Sequence, residues 1–323
     1  MRPTGPITPS VGGNTKMKTF IKIQDNLGEK ELSDLNDLLE SENIDGIEIS
    51  YLGSAYGPIW NKEKNYNLDF IKKLTNLKGL SLFLPKTAKL DFLPATLNWI
   101  NIGEFDNKKV SLEPISNLSK LKYLSLVRNS KNLAELSNLK QLEQASFTGY
   151  KLNQLEFVSE LNQLMDLYLG FGGGESIDFL KNLKNLKRLE ILRVKKLSDI
   201  SSISKLSELE WLKLEDQAQV NQLPDLSNLK KLKHLSLINL KSLEDISALE
   251  NSHIKELVIL NSNLTIEQLK PLVKSKIERI CISLKKKKDI QWIEETLGNR
   301  VVEYIDTESH KQKEIKYYRQ HGV

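Results

Sequence analysis

The sequence predicts an α/β repeat solenoid, in which short parallel strands stack side by side and each returns to the sheet through a short helical turn. Three observations carry this reading. About one residue in six is Leu, whereas aromatics make up 7%, the mark of one small unit used many times. One segment, Leu118-Ser-Lys-Leu121-Lys-Tyr-Leu124-Ser-Leu126, returns at Leu161–Leu169, Leu183–Ile191, Leu206–Leu214 and Leu229–Leu237. Weaker copies end at Ile47/Ile49, Leu80/Leu82, Ile100/Ile102, Ala145/Phe147, Leu257/Ile259, Ile280/Ile282 and Val302/Tyr304, so there are about twelve, spaced by 21 to 23 residues from Leu124 onward.

Each part of the repeat has a physical reading. In an apolar-x-apolar strand the two apolar side chains share one face, and the residue between them faces the other way. So short a strand buries its inner face only against a parallel neighbour. The preceding Leu-x-x-Leu turns the chain inward. On the far side lie Leu197-Ser-Asp-Ile200, Leu243-Glu-Asp-Ile246, Ser176-Ile-Asp-Phe179 and Leu112-Glu-Pro-Ile115. Their acid or Ser can hold free backbone N–H groups at the start of a helical turn.

The remaining segments follow in chain order. Residues 1–16, rich in Pro and Gly, read as a flexible leader or an expression remnant, with Met17 a natural start and Lys18–Ile23 a strand. Residues 17–43 form the expected N-terminal cap. Within it Leu32, Leu35, Leu38 and Leu39 recur at helical spacing over residues 28–41. The array covers 44–306 as one continuous domain, with residues 51–67 (Tyr51, Tyr56, Gly57, Pro58, Trp60, Tyr66) read as an inserted rim loop. Thr265–Lys274 and Asp289–Leu297 read as helices, with Thr265 as N-cap and Gly298 as stop. Residues 307–323 are a polar tail or a last helix.

These residues closely resemble the leucine-rich repeat family, and in particular its internalin-like bacterial class with 22-residue units. The resemblance implies a right-handed horseshoe whose concave face is a parallel β-sheet and whose convex face is made of short helices. One family feature is thin. The Asn expected three residues after the second strand position appears at Asn129, but that place holds Phe105, Tyr150, Gly172, Val194, Gln217 or Leu240 elsewhere. Larger apolar residues or backbone bonds are the expected replacements for the internal Asn ladder.

Several chemistries find no support. No apolar run approaches the roughly 18 residues of a membrane-spanning helix. The lone Cys281 allows no internal disulfide, and His234, His253, His310 and His321 show no metal-ligand spacing. Gly170-Phe-Gly172-Gly-Gly174-Glu lacks the Lys-Ser/Thr ending of a phosphate loop. The expected protein is therefore not an enzyme and takes no cofactor, metal or small-molecule substrate. Its formal charge of +5 is mild, and the excess sits in Lys285–Lys288 and the tail from His310 to His321. Nucleic-acid or membrane-surface binding by those basic segments is the lesser alternative.

The expected site is the concave sheet. There Trp99, Tyr123, Tyr168, Phe171, Trp211 and His234 stand among Asp166, Arg188, Glu190, Lys213 and Glu215. Exposed rings among mixed charges match the composition of protein-binding hot spots. The expectation is a cytoplasmic, non-enzymatic module that docks a folded protein, in its concrete form a bacterial immunity protein neutralising a toxin. A secreted effector or adhesin engaging a host protein is the alternative. Oligomeric state is not legible in the sequence.

Overall fold

No copy of the repeat closes a core alone, because its inward side chains occupy one face of a strand only four or five residues long. The computed structural model describes residues 20–23, 27–41, 44–50, 64, 66–84, 86–103, 110–283 and 287–303. The leader, most of the aromatic loop (51–63 and 65), Phe105, Lys285 and the tail 307–323 lie outside the described residues. The chain forms two compact units, one of Met17–Met165 and one that begins at Asp166.

In the first unit, strands β1 (Phe20–Lys22), β2 (Gly46–Ser50), β3 (Gly79–Phe83), β4 (Trp99–Ile102), β5 (Tyr123–Val127) and β6 (Gln144–Thr148) pair in parallel and in chain order. In the second, β7 (Asp166–Gly170), β8 (Arg188–Leu192), β9 (Trp211–Glu215), β10 (His234–Ile238), β11 (Glu256–Leu260), β12 (Arg279–Ile282) and β13 (Val301–Glu303) do the same. Every copy read from the sequence but the last coincides with one of β2–β12; Tyr304 of the last copy lies outside the described residues. Leu124, Leu126, Leu167, Leu169, Leu189, Ile191, Leu212, Leu214, Leu235 and Leu237 are all buried on the inner face. The last copy is off by one. β13 slips against β12, so that Val301 rather than Val302 pairs with Ile280, and Val302 is exposed.

The far-side turns are built as the spacing implies. Asp199 accepts from the Ser201 N–H, Asp245 from that of Ser247, and Ser176 from that of Asp178, each two residues on and opening a 3₁₀ turn. Asp225 likewise accepts from the Ser227 N–H, there at a plain turn. These bonds hold the carboxyls of Asp199, Asp225 and Asp245 below the usual carboxylate range. In the Leu112 copy the acceptor is Ser111, which takes the Glu113 N–H at the start of helix α2 (Glu113–Ser116).

Helix α1 (Glu29–Ser41) buries Leu32, Leu35 and Leu39, while Leu38, expected in the same stripe, is exposed. The helix expected over Thr265–Lys274 is two short pieces, α3 (Ile266–Leu269) and α4 (Pro271–Lys274). Pro271 divides them, having no N–H to continue the first ladder. Thr265 begins α3 in a capping box with Gln268. Helix α5 (Lys287–Leu297) ends at Gly298, whose φ of 34° leaves the right-handed region.

The internal ladder survives in altered chemistry. Asn129 Nδ2 donates to the Val127 and Gly103 carbonyls, both at 2.9 Å. Gln217, fully buried, repeats this in the second unit, with Nε2 donating to Glu215 at 2.7 Å and Ile191 at 3.1 Å. Its Oε1 accepts the Val194 N–H. Tyr150 serves the same space by another route, since its hydroxyl accepts from Asn129 N at 2.9 Å and donates to Asn129 O at 2.8 Å. Burial pushes the Tyr150 phenol well up, so it remains a neutral donor.

The residue that follows each strand from β5 to β11 is left-handed: Arg128, Gly149, Phe171, Arg193, Asp216, Asn239 and Asn261 all have positive φ. In Arg128, Phe171, Arg193, Asp216 and Asn239 the twist aims the N–H at the last carbonyl of the next strand, as in Arg193 N to Glu215 O at 2.9 Å and Asn239 N to Leu260 O at 2.8 Å, whereas Asn261 N donates to the Ser283 hydroxyl. Asn and Asp tolerate this geometry, whereas Arg and Phe bear about 1–2 kcal/mol each.

Asn129→Ala and Gln217→Ala should each lower the unfolding free energy by about 1–3 kcal/mol for every backbone group left buried and unbonded, and so lower the urea midpoint. Equilibrium denaturation followed by circular dichroism measures it. An unchanged midpoint for Gln217→Ala would show that the Gln does no ladder work.

Candidate functional site on the outer sheet face

Because adjacent strands are in register, side chains that face away from the core form rows across the sheet, about 4.8 Å apart. In the second unit the first row reads Asp166, Arg188, Trp211, His234, Glu256, Arg279, and the second reads Tyr168, Glu190, Lys213, Ser236, Val258, Cys281. Cys281 thus faces away from the core, as its place between the fully buried Ile280 and Ile282 implies.

This spacing changes what the sequence leads one to expect. Rings and charges expected to be exposed are largely covered: Trp211 is 4% exposed, Tyr168 and Tyr123 7%, and Arg188 8%. Large side chains in neighbouring copies lie on one another. The Arg188 guanidinium sits 3.8 Å from the centre of the Trp211 ring, a cation–π contact. The more accessible members are Trp99, Phe171, Glu190, Lys213, Glu215 and His234, each partly exposed.

The charges form one connected chain of alternating sign. Asp166 Oδ2 lies 3.9 Å from Arg188 Nε, and Arg188 Nη2 lies 4.0 Å from Glu190 Oε2. Lys213 Nζ then bridges Glu190 at 3.5 Å and Glu215 at 3.0 Å. Three carboxylates thus share two cations. Burial pushes the Asp166 carboxyl up to about 6; Arg188 opposes that rise and Glu190 adds to it. Burial also raises the Tyr168 phenol, as do the charges of Glu190 and Glu215, against the pull of Lys213.

Phe171 stands apart at a strand exit, with the Arg193 guanidinium 5.6 Å from its ring centre. His234 pairs through Nδ1 with Glu256 at 3.0 Å, and Arg279 reaches the other oxygen of that carboxylate at 3.3 Å. Glu256 and Arg279 were not expected in the site; their first-row position in the weaker copies would have found them. Asp216 acts at the strand exits. There it ties Arg193 (Nε at 2.9 Å) to Asn239, which in turn accepts from Asn261.

Trp99 and Tyr123 belong to the first unit and meet a different set of residues. They stack at 5.3 Å and 12°. Phe20 on β1 also lies 5.2 Å from Trp99, although three strand steps separate β1 from β4. The intervening first-row residues are Gly46 and Gly79. At both, an added Cβ would run into neighbouring backbone, and their bareness lets two rings lean together over the gap. The sequence signal was present, since Gly opens two successive copies, Gly46-Ile-Glu-Ile49 and Gly79-Leu-Ser-Leu82.

Among the described residues no three His, Cys, Asp or Glu side chains are grouped to hold a metal ion, and no helix is long and apolar enough to cross a membrane.

No protein-family model matches the chain, and neither does any curated protein sequence. Solved structures do match. An internalin, InlF of Listeria monocytogenes, is 19% identical, with a TM-score of 0.57 over 85% of this chain and 78% of that one. The chain folds as a leucine-rich repeat protein. Looser likenesses are the functional domain of InlJ from Listeria monocytogenes (18% identical, TM-score 0.46, 83% of this chain and 65% of that one) and the mouse RP105/MD-1 complex (16%, 0.47, 80% and 54%). At these identities the likeness is one of leucine-rich repeat fold.

The raised carboxyl of Asp166 has a consequence for stability. Its contribution is greatest below the unfolded value, near pH 4, and is lost as pH rises through about 6. Asp166→Asn should therefore raise the thermal midpoint more at pH 7.5 than at pH 4.5, with a gain on the order of 1–3 kcal/mol at the higher pH. Thermal melts at the two pH values check this. Equal gains at both would show that the carboxyl is not raised.

Proposed function

We propose that this protein is a recognition module that binds a folded protein partner on the outer face of its sheet. The observation that carries this is the connected chain of charges from Asp166 to Glu215, largely buried beside Tyr168 and Trp211 on a hydrogen-bonded scaffold. Half-desolvated charges and large rings held in fixed rotamers lose little entropy when a partner docks. Alternating charge selects orientation and register more than raw affinity. The leucine-rich repeat fold supports the reading, because side-by-side copies offer a broad surface rather than an enclosed cleft.

The finer reading is a cytoplasmic immunity protein that neutralises a toxin made by the same bacterium. It is motivated by the Lys-, Asn- and Ile-rich composition.

Affinity capture from native lysate with two baits tests both levels. One bait is the native chain and the other carries Glu190→Lys with Glu215→Lys. The expected result is a protein held by the native bait and reduced at least about tenfold on the reversed one, with unchanged circular dichroism. A toxin encoded beside this protein among the captured chains would support the finer reading. Retention indifferent to charge reversal would remove this face as the site.

A further inference from the structure

Among the described residues, the Tyr168 hydroxyl is a buried polar group of the outer face that the fold leaves unbonded. Tyr168 is 7% exposed, and its Oη is buried without a hydrogen-bond partner. A buried hydroxyl left unbonded is costly, and native structures keep few of them. Its ring lies along its own strand over Gly170, where a methyl group would overlap it. Glycine at that place is what permits the hydroxyl to sit there.

The surroundings define what would complete it. Glu190 and Glu215 act on the phenol as negative neighbours and Lys213 as a positive one. Lys213 Nζ is shared between both carboxylates, at 3.5 Å and 3.0 Å. Arg188 approaches Glu190 only to 4.0 Å, beyond hydrogen-bond reach. Across the connected set, Asp166, Glu190 and Glu215 face two cations. One negative charge and several acceptor lone pairs are left over, beside an unused phenol oxygen.

We propose that this locus seats an arginine side chain of the protein partner, its guanidinium shared by Glu190, Glu215 and Tyr168 Oη. The inference rests on the protein-recognition reading above. A guanidinium presents five donors in a planar fork, enough to serve two carboxylates and a phenol together. A lysine ammonium is more strongly hydrated and loses more on entering a half-buried site. An anionic group would meet three carboxylates.

The full chain, labelled with nitrogen-15, is titrated with N-acetyl-arginine methylamide and, in parallel, with the lysine and citrulline analogues. Citrulline keeps the shape of arginine and removes the charge. The expected result is saturable shifts at the amides of residues 168–170, 190 and 213–215, with arginine ahead of lysine and no response to citrulline. Glu215→Gln should weaken arginine at least about tenfold, and Tyr168→Phe by about threefold to tenfold. Tyr168→Phe should also keep or raise the thermal midpoint, since it deletes an unbonded hydroxyl. Citrulline equal to arginine, or a Glu215→Gln variant that binds arginine as before, overturns the site. Loss of the arginine response while charge-dependent capture persists overturns this inference alone. An intact response with charge-indifferent capture supports the arginine locus and removes this face as the place where the captured protein docks.

Discussion

Parallel backbone pairing between copies is the constraint from which the other features follow. A strand of four or five residues with two inward aliphatic side chains has no core until a neighbour lies beside it. Pairing sets the spacing at about 4.8 Å and fixes register, because a slip of one residue would turn the inward leucines out. β13 shows what happens where the constraint weakens. At the last pairing the register slips, and Val302 faces solvent.

The same spacing produces both the internal ladder and the outer face. Inside, every turn leaves carbonyls that water cannot reach, and something must bond them. Asn129, Gln217 and Tyr150 are three answers to one problem. The extra methylene of Gln217 still reaches the carbonyl two residues back and one in the preceding copy, as Asn129 does. Outside, rows of side chains stand one strand apart, so bulky neighbours in successive copies cover each other. Arg188 over Trp211 and Trp99 on Tyr123 are direct results. Where the row holds Gly46 and Gly79 instead, rings from more distant strands meet across the gap.

The functional reading draws on a tension in that arrangement. Charges of alternating sign run along β7, β8 and β9 with one carboxylate in excess, yet burial raises Asp166 and leaves the Tyr168 hydroxyl unbonded. Left-handed exits at Phe171 and Arg193 add local strain close to these strands. A structure selected for stability alone would have little reason to keep these features together, and sites of contact are where such costs gather.

The repeat, the strand positions up to β12, the inward leucines and the acceptors Ser176, Asp199 and Asp245 at three far-side turns were legible in the sequence. They depend on local periodicity, and period two and a spacing of 21 to 23 residues survive any detail of packing. The outer-face residues could be named from the same register, since a side chain flanked by two inward neighbours must point outward. Their covering, their pairing and the lone hydroxyl could not be named. Those depend on which residue of one copy stands beside which residue of the next, and on rotamers chosen under mutual crowding. Gln217 as a ladder residue was hidden for the same reason: its equivalence to Asn lies in reach across strands, a distance that only the folded chain defines.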